Sequence, residues 1–473
     1  MAKSRRPKSR PPQPAPAPTP GASVPTPALP ASTLDRTPAS TSRASPAAYA
    51  WADYAALIGL DWADQKHDVC LLDTTQAIPT APEYEVLAHT PEALMQWLNG
   101  LRARFGGRPI AVCLELSRGP LIQVLRQYDF IVLYPVNPQT LAKFRQTFTP
   151  SGAKADASDA AFLVRLLSHH HDVLRPFFPD DATTRALATL VLDRRKAVDA
   201  RTALTNRLQS VLKSYFPQAL TLCGDKLHQP LAMDFLDRYP TLAAAQRAKP
   251  KTVAAFYRQR HCRSDELIAA RLQVLAEALP LTTDWAVIRP AVLTVKMLVL
   301  QLRQLQAALG EYDRLIEELF TTHPDAALFD SLPGAGPALA PRLLVAFGTQ
   351  RERFPSASAM QQYSGVAPVT KTSGKSRQVQ SRWCCPHFLR QSLHEFARCS
   401  IGCCGWAHAY YTQQRARGND HHAAVRALAY KWVRIIWRLW QDGALYVDAT
   451  YVQALRRHGS PLVAALDLPT VPA

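Results

Sequence analysis

The order of apolar and polar positions changes texture along the chain, and each change marks an element. Residues 55–73 (AALIGLDWADQKHDVCLLD) read as two strands: an apolar run climbs to Asp61, a polar turn follows, and a second run covers 68–73. A third strand is predicted around 84–89, then a helix from Pro91 to about Phe105. Residues 109–115 (PIAVCLE) form a fourth, buried strand closing on Glu115, with a helix after Ser117, and residues 129–136 (DFIVLYPV) are a fifth. Pro150, Ser151 and Gly152 mark a loop. Beyond it Ala160, Phe162, Leu163, Leu166 and Leu167 recur at helical spacing.

The second half is helical in pattern. Residues 183–217 carry one apolar stripe (Leu187, Leu190, Val191, Val198, Leu204, Leu208, Val211, Leu212) with basic residues between. Residues 218–264 are mixed, and helical texture returns over 265–279 and 292–320. Two long helices flanking a short insert predict an antiparallel coiled-coil arm for dimerisation, with a self-contained bundle as the alternative. Residues 330–348 (DSLPGAGPALAPRLLVAFG) resemble a helix-hairpin-helix, whose glycines, Gly334 and Gly336, allow a tight turn that presents N–H groups to phosphate. Near the end, Val425, Leu428, Ala429, Trp432, Ile436, Leu439 and Trp440 share one helix face, and Arg426, Arg434 and Arg438 another. The tryptophans read as core, and the arginine row as a phosphate-contacting face.

Charge sharpens this picture. The chain of 473 residues has a formal charge of +18, which points to a polyanionic partner. Residues 331–473 hold 17 Lys/Arg against six Asp/Glu, and residues 1–46 hold seven against one, so the stretch between them is almost neutral. The first 46 residues also carry twelve prolines and are expected to be a disordered basic tail. With no apolar signal segment and no apolar run long enough to span a bilayer, a soluble, cytoplasmic or nucleoid protein is expected. Its nine cysteines are expected to be reduced. Cys384, Cys385, His387, Cys399, Cys403, Cys404 and His408 lack the paired spacing of a zinc site, and Cys399 and Cys403 fit one buried helix face. His169–His171 suit a helix C-terminus.

The acids carry the chemistry. Asp61 and Glu115 each close an apolar strand, and Asp156 and Asp159 lie three apart on the first turn of a helix. Carboxylates in such places either cap their elements or hold a divalent cation. Asp64, Asp68 and Asp73 read as solvated. Three antiparallel strands, then alternating strand and helix, is the order of an RNase H-like α/β sheet. GLDWADQKHDV, the strand-ending CLE and KADASDAAFLVRLL together resemble the RuvC-like DEDD domain of the IS110 family of insertion-sequence transposases, the bridge-RNA-guided recombinases. GVAP followed by SG, behind LPGAGP, resembles the C-terminal transposase domain of the same family, although QSRWCCPHF stands where that family commonly has a basic, glycine-containing stretch.

The resemblance implies a RuvC-like domain over 55–180, a helical dimerisation region over 181–325, a transposase domain over 326–450 and a tail over 451–473. It implies a DNA transposase, guided by a structured RNA and acting as a homodimer or homotetramer, in which Asp61, Glu115, Asp156 and Asp159 hold Mg²⁺. Ser373 is the implied nucleophile, with Lys371, Gly374, Lys375 and Arg377 around it; by chemistry alone Thr372 and Ser376 remain alternatives. A RuvC-like nuclease or junction resolvase using water, and a non-catalytic nucleic-acid-binding relic, are the competing readings. If the basic C-terminal region grips phosphates, affinity for DNA or RNA falls steeply as salt rises, and deleting residues 1–46 lowers it only modestly. A salt titration of binding checks this, and a flat response would mark the excess charge as a solubility feature.

Overall fold

The computed structural model describes residues 49–76, 81–115, 119–148, 156–177, 179–374 and 376–466, without the side chains of 156–158 and 465. The expected tail over 1–46 therefore lies outside the described residues. The chain divides into two compact units, Met1–Phe177 and Phe178–Ala473.

The first unit is built on a five-stranded mixed sheet. β1 (Ala56–Asp61), β2 (Lys66–Asp73) and β3 (Glu83–Ala88) are followed by α1 (Pro91–Phe105), β4 (Ile110–Leu114), α2 (Pro120–Leu125), β5 (Ile131–Pro135), α3 (Pro138–Phe148) and α4 (Asp156–His170). The strand order is β3-β2-β1-β4-β5, antiparallel from β3 to β1 and parallel from β1 to β5. β1, β4 and β5 are apolar throughout because both faces of the sheet are covered. Ala56, Ile58 and Leu60 of β1 join the core with α1 and α2, while Leu57 joins the core that contains Leu163 and Leu167 of α4.

That second face depends on a glycine. A Cβ built on Gly59 would stand 2.0 Å from the Ala160 carbonyl oxygen and 2.9 Å from the Val164 nitrogen. The backbone of α4 thus rests directly on β1, two residues before Asp61, where any side chain would hold it away. The alternating pattern did not expose this contact, nor did it reveal α3.

In the second unit, α5 (Ala182–Tyr215) and α11 (Trp285–Thr321) run antiparallel along each other. The start of α5 (Leu187, Val191) shares a core with the end of α11 (Ile316, Phe320), and its end (Leu208, Leu212) shares another with Val295 and Leu302. Four short helices, α6 (Ala219–Cys223), α7 (Pro230–Arg238), α8 (Leu242–Arg247) and α9 (Pro250–Gln259), occupy the stretch whose sequence had little pattern, and α10 (Asp265–Glu277) lies where the pattern returns. α11 also begins before Pro290, a residue that reads as a boundary. Contrary to the expectation that no segment could span a bilayer, α11 is long and apolar enough to do so by length and composition. Here it packs along α5.

The remainder comprises α12 (Ala326–Asp330), α13 (Gly336–Phe347), α14 (Ala357–Tyr363), the hairpin β6 (Val369–Ser373) and β7 (Ser376–Gln380), α15 (His387–Cys403), α16 (Gly405–Ala416), α17 (His421–Asp442), α18 (Asp448–Arg457) and α19 (Val463–Leu466). Trp406, Trp432 and Trp440 are fully buried in its core. Their indole N–H groups donate to the Tyr446 hydroxyl (2.7 Å), the Ser400 hydroxyl (2.8 Å) and the Gly348 carbonyl (2.8 Å). These tryptophans are core, as expected.

Gly59→Ala should cost about 1–3 kcal/mol or more of unfolding free energy, since the added methyl meets backbone rather than a movable side chain. Chemical denaturation of the full chain measures it, and an unchanged midpoint would mean that α4 can shift freely.

Candidate active site

Strand register brings two of the four acids together. Leu60 of β1 pairs with Leu114 of β4, so the next residues, Asp61 and Glu115, stand side by side at adjacent strand ends, both half-buried. Alternation continues Leu57 and Gly59 into Asp61, and Ala111 and Cys113 into Glu115, so both lie on the face that α4 covers. Asp159 comes from that helix. It is 3% exposed, and the Arg145 guanidinium of α3 donates to both of its oxygens at 2.6 Å. Asp156 begins α4, but its side chain lies outside the described residues.

Carboxylate oxygens at adjacent strand ends fit a hard divalent cation such as Mg²⁺. Among the described residues no three His, Cys, Asp or Glu side chains are grouped to hold a metal. Asp159 meets an arginine in this arrangement.

Two neighbouring acids differ from the solvated reading. Asp68 is half-buried and directly opposite Asp61 across the β1–β2 pair. Asp73 is buried, bonded by the Thr75 hydroxyl (2.6 Å) and by Arg104 (3.2 Å). These contacts hold its carboxyl below the usual range despite its burial. Both lie on a strand whose alternation, read in isolation, leaves the outer face open.

His67 steadies the turn that follows Asp61. The Ala63 N–H reaches its Nδ1 at 3.4 Å, which leaves Nε2 to carry the proton toward His89 Nδ1 at 2.9 Å. The ring is fully buried, and burial, helped by His89, pulls its pKa down to about 4.

In the second unit, β6 and β7 form a two-stranded ribbon whose described residues are exposed apart from the half-buried Val369. Ser373 pairs with Ser376 across a two-residue turn, and Gly374 takes φ 54°, the left-handed conformation that tight hairpins require. Ser373 thus ends β6 beside an open tip. Lys371 shares its face, whereas Arg377 pairs with Thr372 and lies on the other face, so the cations do not all surround the serine. Lys375 lies outside the described residues.

The remaining candidates serve different ends. Gly334, at φ 81°, packs against α15: a Cβ there would come within 3.0 Å of the Cys399 carbonyl. Gly336 opens α13 with nothing near its missing side chain. On α17, Arg434 is exposed, Arg426 is half-buried and Arg438 pairs with Asp442 at 2.6 Å. Burial and the neighbouring Arg426, Arg390 and His422 pull His394 down to about 4, so more cations gather at this end of α17 than the arginine row alone predicted. Cys399 and Cys403 are exposed rather than on a buried face.

Two family models match the chain. Residues 58–217 match a family model described as a transposase, which spans the strand-end acids and α4. Residues 326–412 match the model of the transposase IS116/IS110/IS902 family, which spans the ribbon and α15. The chain is 30% identical over 393 residues to the mini-circle putative transposase for IS117 of Streptomyces coelicolor, covering 80% of this chain and 92% of that relative. It is 29% identical over 370 residues to the insertion element IS110 43.6 kDa protein of the same organism, covering 76% and 88% respectively. Against the insertion element IS900 42 kDa protein of Mycobacterium paratuberculosis the figures are 27% over 378 residues, 78% and 92%. The chain therefore belongs to the IS110 family of insertion-sequence transposases.

The buried histidine predicts an acid-sensitive fold. Unfolded histidine protonates near pH 6.5, whereas native His67 stays neutral down to about 4. Its contribution is whole above about pH 6.5 and is lost as pH falls toward 4, on the order of 2–3 kcal/mol. Unfolding free energies across that window should fall less steeply in His67→Gln; equal slopes would remove His67 as the cause.

Proposed function

We propose that this protein excises and inserts its own element by DNA strand exchange, guided by a structured RNA. In this reading the first unit is an RNase H-like, RuvC-like domain, a description that its strand order supports. Asp61 and Glu115, with Asp156 and Asp159, are the residues that would hold Mg²⁺. The observation that carries the reading is the β1–β4 register, which sets Asp61 beside Glu115 on the face covered by α4. Bound there, a divalent cation would neutralise the scissile phosphate and stabilise the leaving oxygen. Release of Arg145 from Asp159 would accompany entry of that carboxylate into the set.

Ser373 is the proposed nucleophile. Its Oγ bonds to phosphorus as the P–O3′ bond breaks; the serine proton is lost to solvent and the leaving oxygen becomes a 3′-hydroxyl. The product is a 5′-phosphoserine link that keeps the bond energy for rejoining. Exposure at the ribbon tip and Lys371 on the same face support this role. Gly336, the open side of Gly374, Lys375, Arg377, Arg426 and Arg434 are proposed phosphate contacts. Gly334 and Arg438 are proposed with them, acting through their backbone and through exchange of Asp442 for phosphate.

Assembly as a homodimer or homotetramer is part of the proposal. A groove of about 900 Å³ between α5 and α11 is lined by Ala200, Ala203, Leu204, Leu300, Leu305 and Ala308. Leu293 and Trp285 are 71% and 73% exposed on the same helix as Leu300.

Asp61→Asn should lower Mg²⁺-dependent cleavage by on the order of a hundredfold or more while leaving DNA binding in place. Ser373→Ala should abolish cleavage and joining. A detergent-stopped wild-type reaction should leave protein on the DNA 5′ end, with peptide mapping placing the link at Ser373. Free 5′-phosphate ends from an active Ser373→Ala variant would instead establish a water-using nuclease. Light scattering that finds only monomer, with and without nucleic acid, would remove the assembly.

A further inference from the structure

The face of the sheet covered by α4 is not covered to its edge. α4 packs on β1, β2 and β4, while Tyr84 and Val86 of the edge strand β3 remain 58% and 61% exposed. Register places both on that face: Tyr84 pairs with Cys70, whose side chain lies in the α4 core, and Val86 pairs with Asp68. The intervening Glu83 and Glu85 point the other way, toward α1, where Arg104 and the Trp97 indole N–H bind their carboxylates. A cleft of about 220 Å³ opens between these strands, lined by Asp68, Val69, Tyr84, Glu85 and Val86.

Each part of the cleft has a chemistry. Tyr84 stands directly across from Cys70 on the neighbouring strand, with most of its surface facing solvent. Val86 supplies a second apolar contact. Glu85 is held on the far face, so Asp68 is the carboxylate that looks into the cleft. An aromatic face and a carboxylate acceptor together match one base, through its plane and an exocyclic amine. The volume holds one base rather than a stacked pair.

We propose that this cleft receives a single unstacked, amino-bearing base, of the cytosine or adenine type, from the strand handled at Asp61. The base stacks on Tyr84 and its amine donates to Asp68. Asp68 lies directly across from Asp61, so a base held here fixes the strand beside the proposed metal-binding acids. The inference rests on the DNA-processing reading above but concerns binding alone, so it can fail while that reading stands.

The test uses the full chain and short, labelled single strands of oligo(deoxycytidine) and oligo(deoxythymidine) at low salt. Wild type should prefer deoxycytidine. Tyr84→Ala should weaken deoxycytidine binding about tenfold, and Tyr84→Phe, which keeps the ring, should restore it. Asp68→Asn should abolish the preference, because an amide can also donate to thymine O4. Irradiating a 5-iododeoxycytidine strand should crosslink it to the peptide containing Tyr84. Unchanged affinity in Tyr84→Ala, or a crosslink elsewhere, would overturn the proposal. So would a change in oligomeric state with DNA affinity intact, which would make the β3 edge a protein-docking surface. Wild-type cleavage of duplex DNA, measured in parallel, separates these outcomes from failure of the functional reading.

Discussion

The first unit depends on one contact between backbones, the seat of α4 on β1 at Gly59. Hydrophobic burial alone would place a helix about a side chain's length above the sheet. Glycine removes that spacing and sets the first turn of α4 against the end of β1. Every acid of the candidate site is positioned by this choice. Asp61 is two residues beyond the contact along the strand, Glu115 is one strand away, and Asp159 precedes Ala160, the residue whose carbonyl makes it. The same closeness explains why Asp159 is buried, where Arg145 binds its carboxylate.

How much of this was legible in the sequence depended on whether an element's pattern arises within the element. The strands and the long helices announce themselves, because burial of one or both faces writes a period into each. Asp61 and Glu115 were visible for the same reason: a charge ending an apolar run breaks the pattern. The short helices over 218–264 were not, since they are set by packing around Tyr215, Phe235 and Tyr257, residues far apart in the chain. Asp73 looked solvated because its partner, Arg104, is 31 positions away. Cys399 and Cys403 had the spacing of a buried stripe, yet Leu389, Leu393, Phe396 and Ala397 occupy the buried face of α15. Arg377 seemed to crowd Ser373 because proximity in sequence hides the alternation of a ribbon.

The second unit handles its charges in two ways. Inside, Glu395 gathers Arg342 of α13 and Arg195 of α5, so three helices meet at one carboxylate. A buried arginine of this kind tolerates no loss of its partner. Around His394, by contrast, burial and its cationic neighbours all act against protonation. Such a gathering of cations attracts anions.

The ribbon that carries Ser373 has a consequence of its own. Two strands with no layer beneath them make a marginal structure in water, and the strands here are only five residues each. The pitch and reach of such a ribbon are therefore set by what lies across it, more than by the helices from which it extends. A side chain mounted there, Ser373 included, has no fixed aim in the free protein and gains one only when something is bound across the ribbon. For the proposed nucleophile Ser373 this would be a safety catch: stray DNA would meet a serine without a fixed line of attack until the ribbon itself is held.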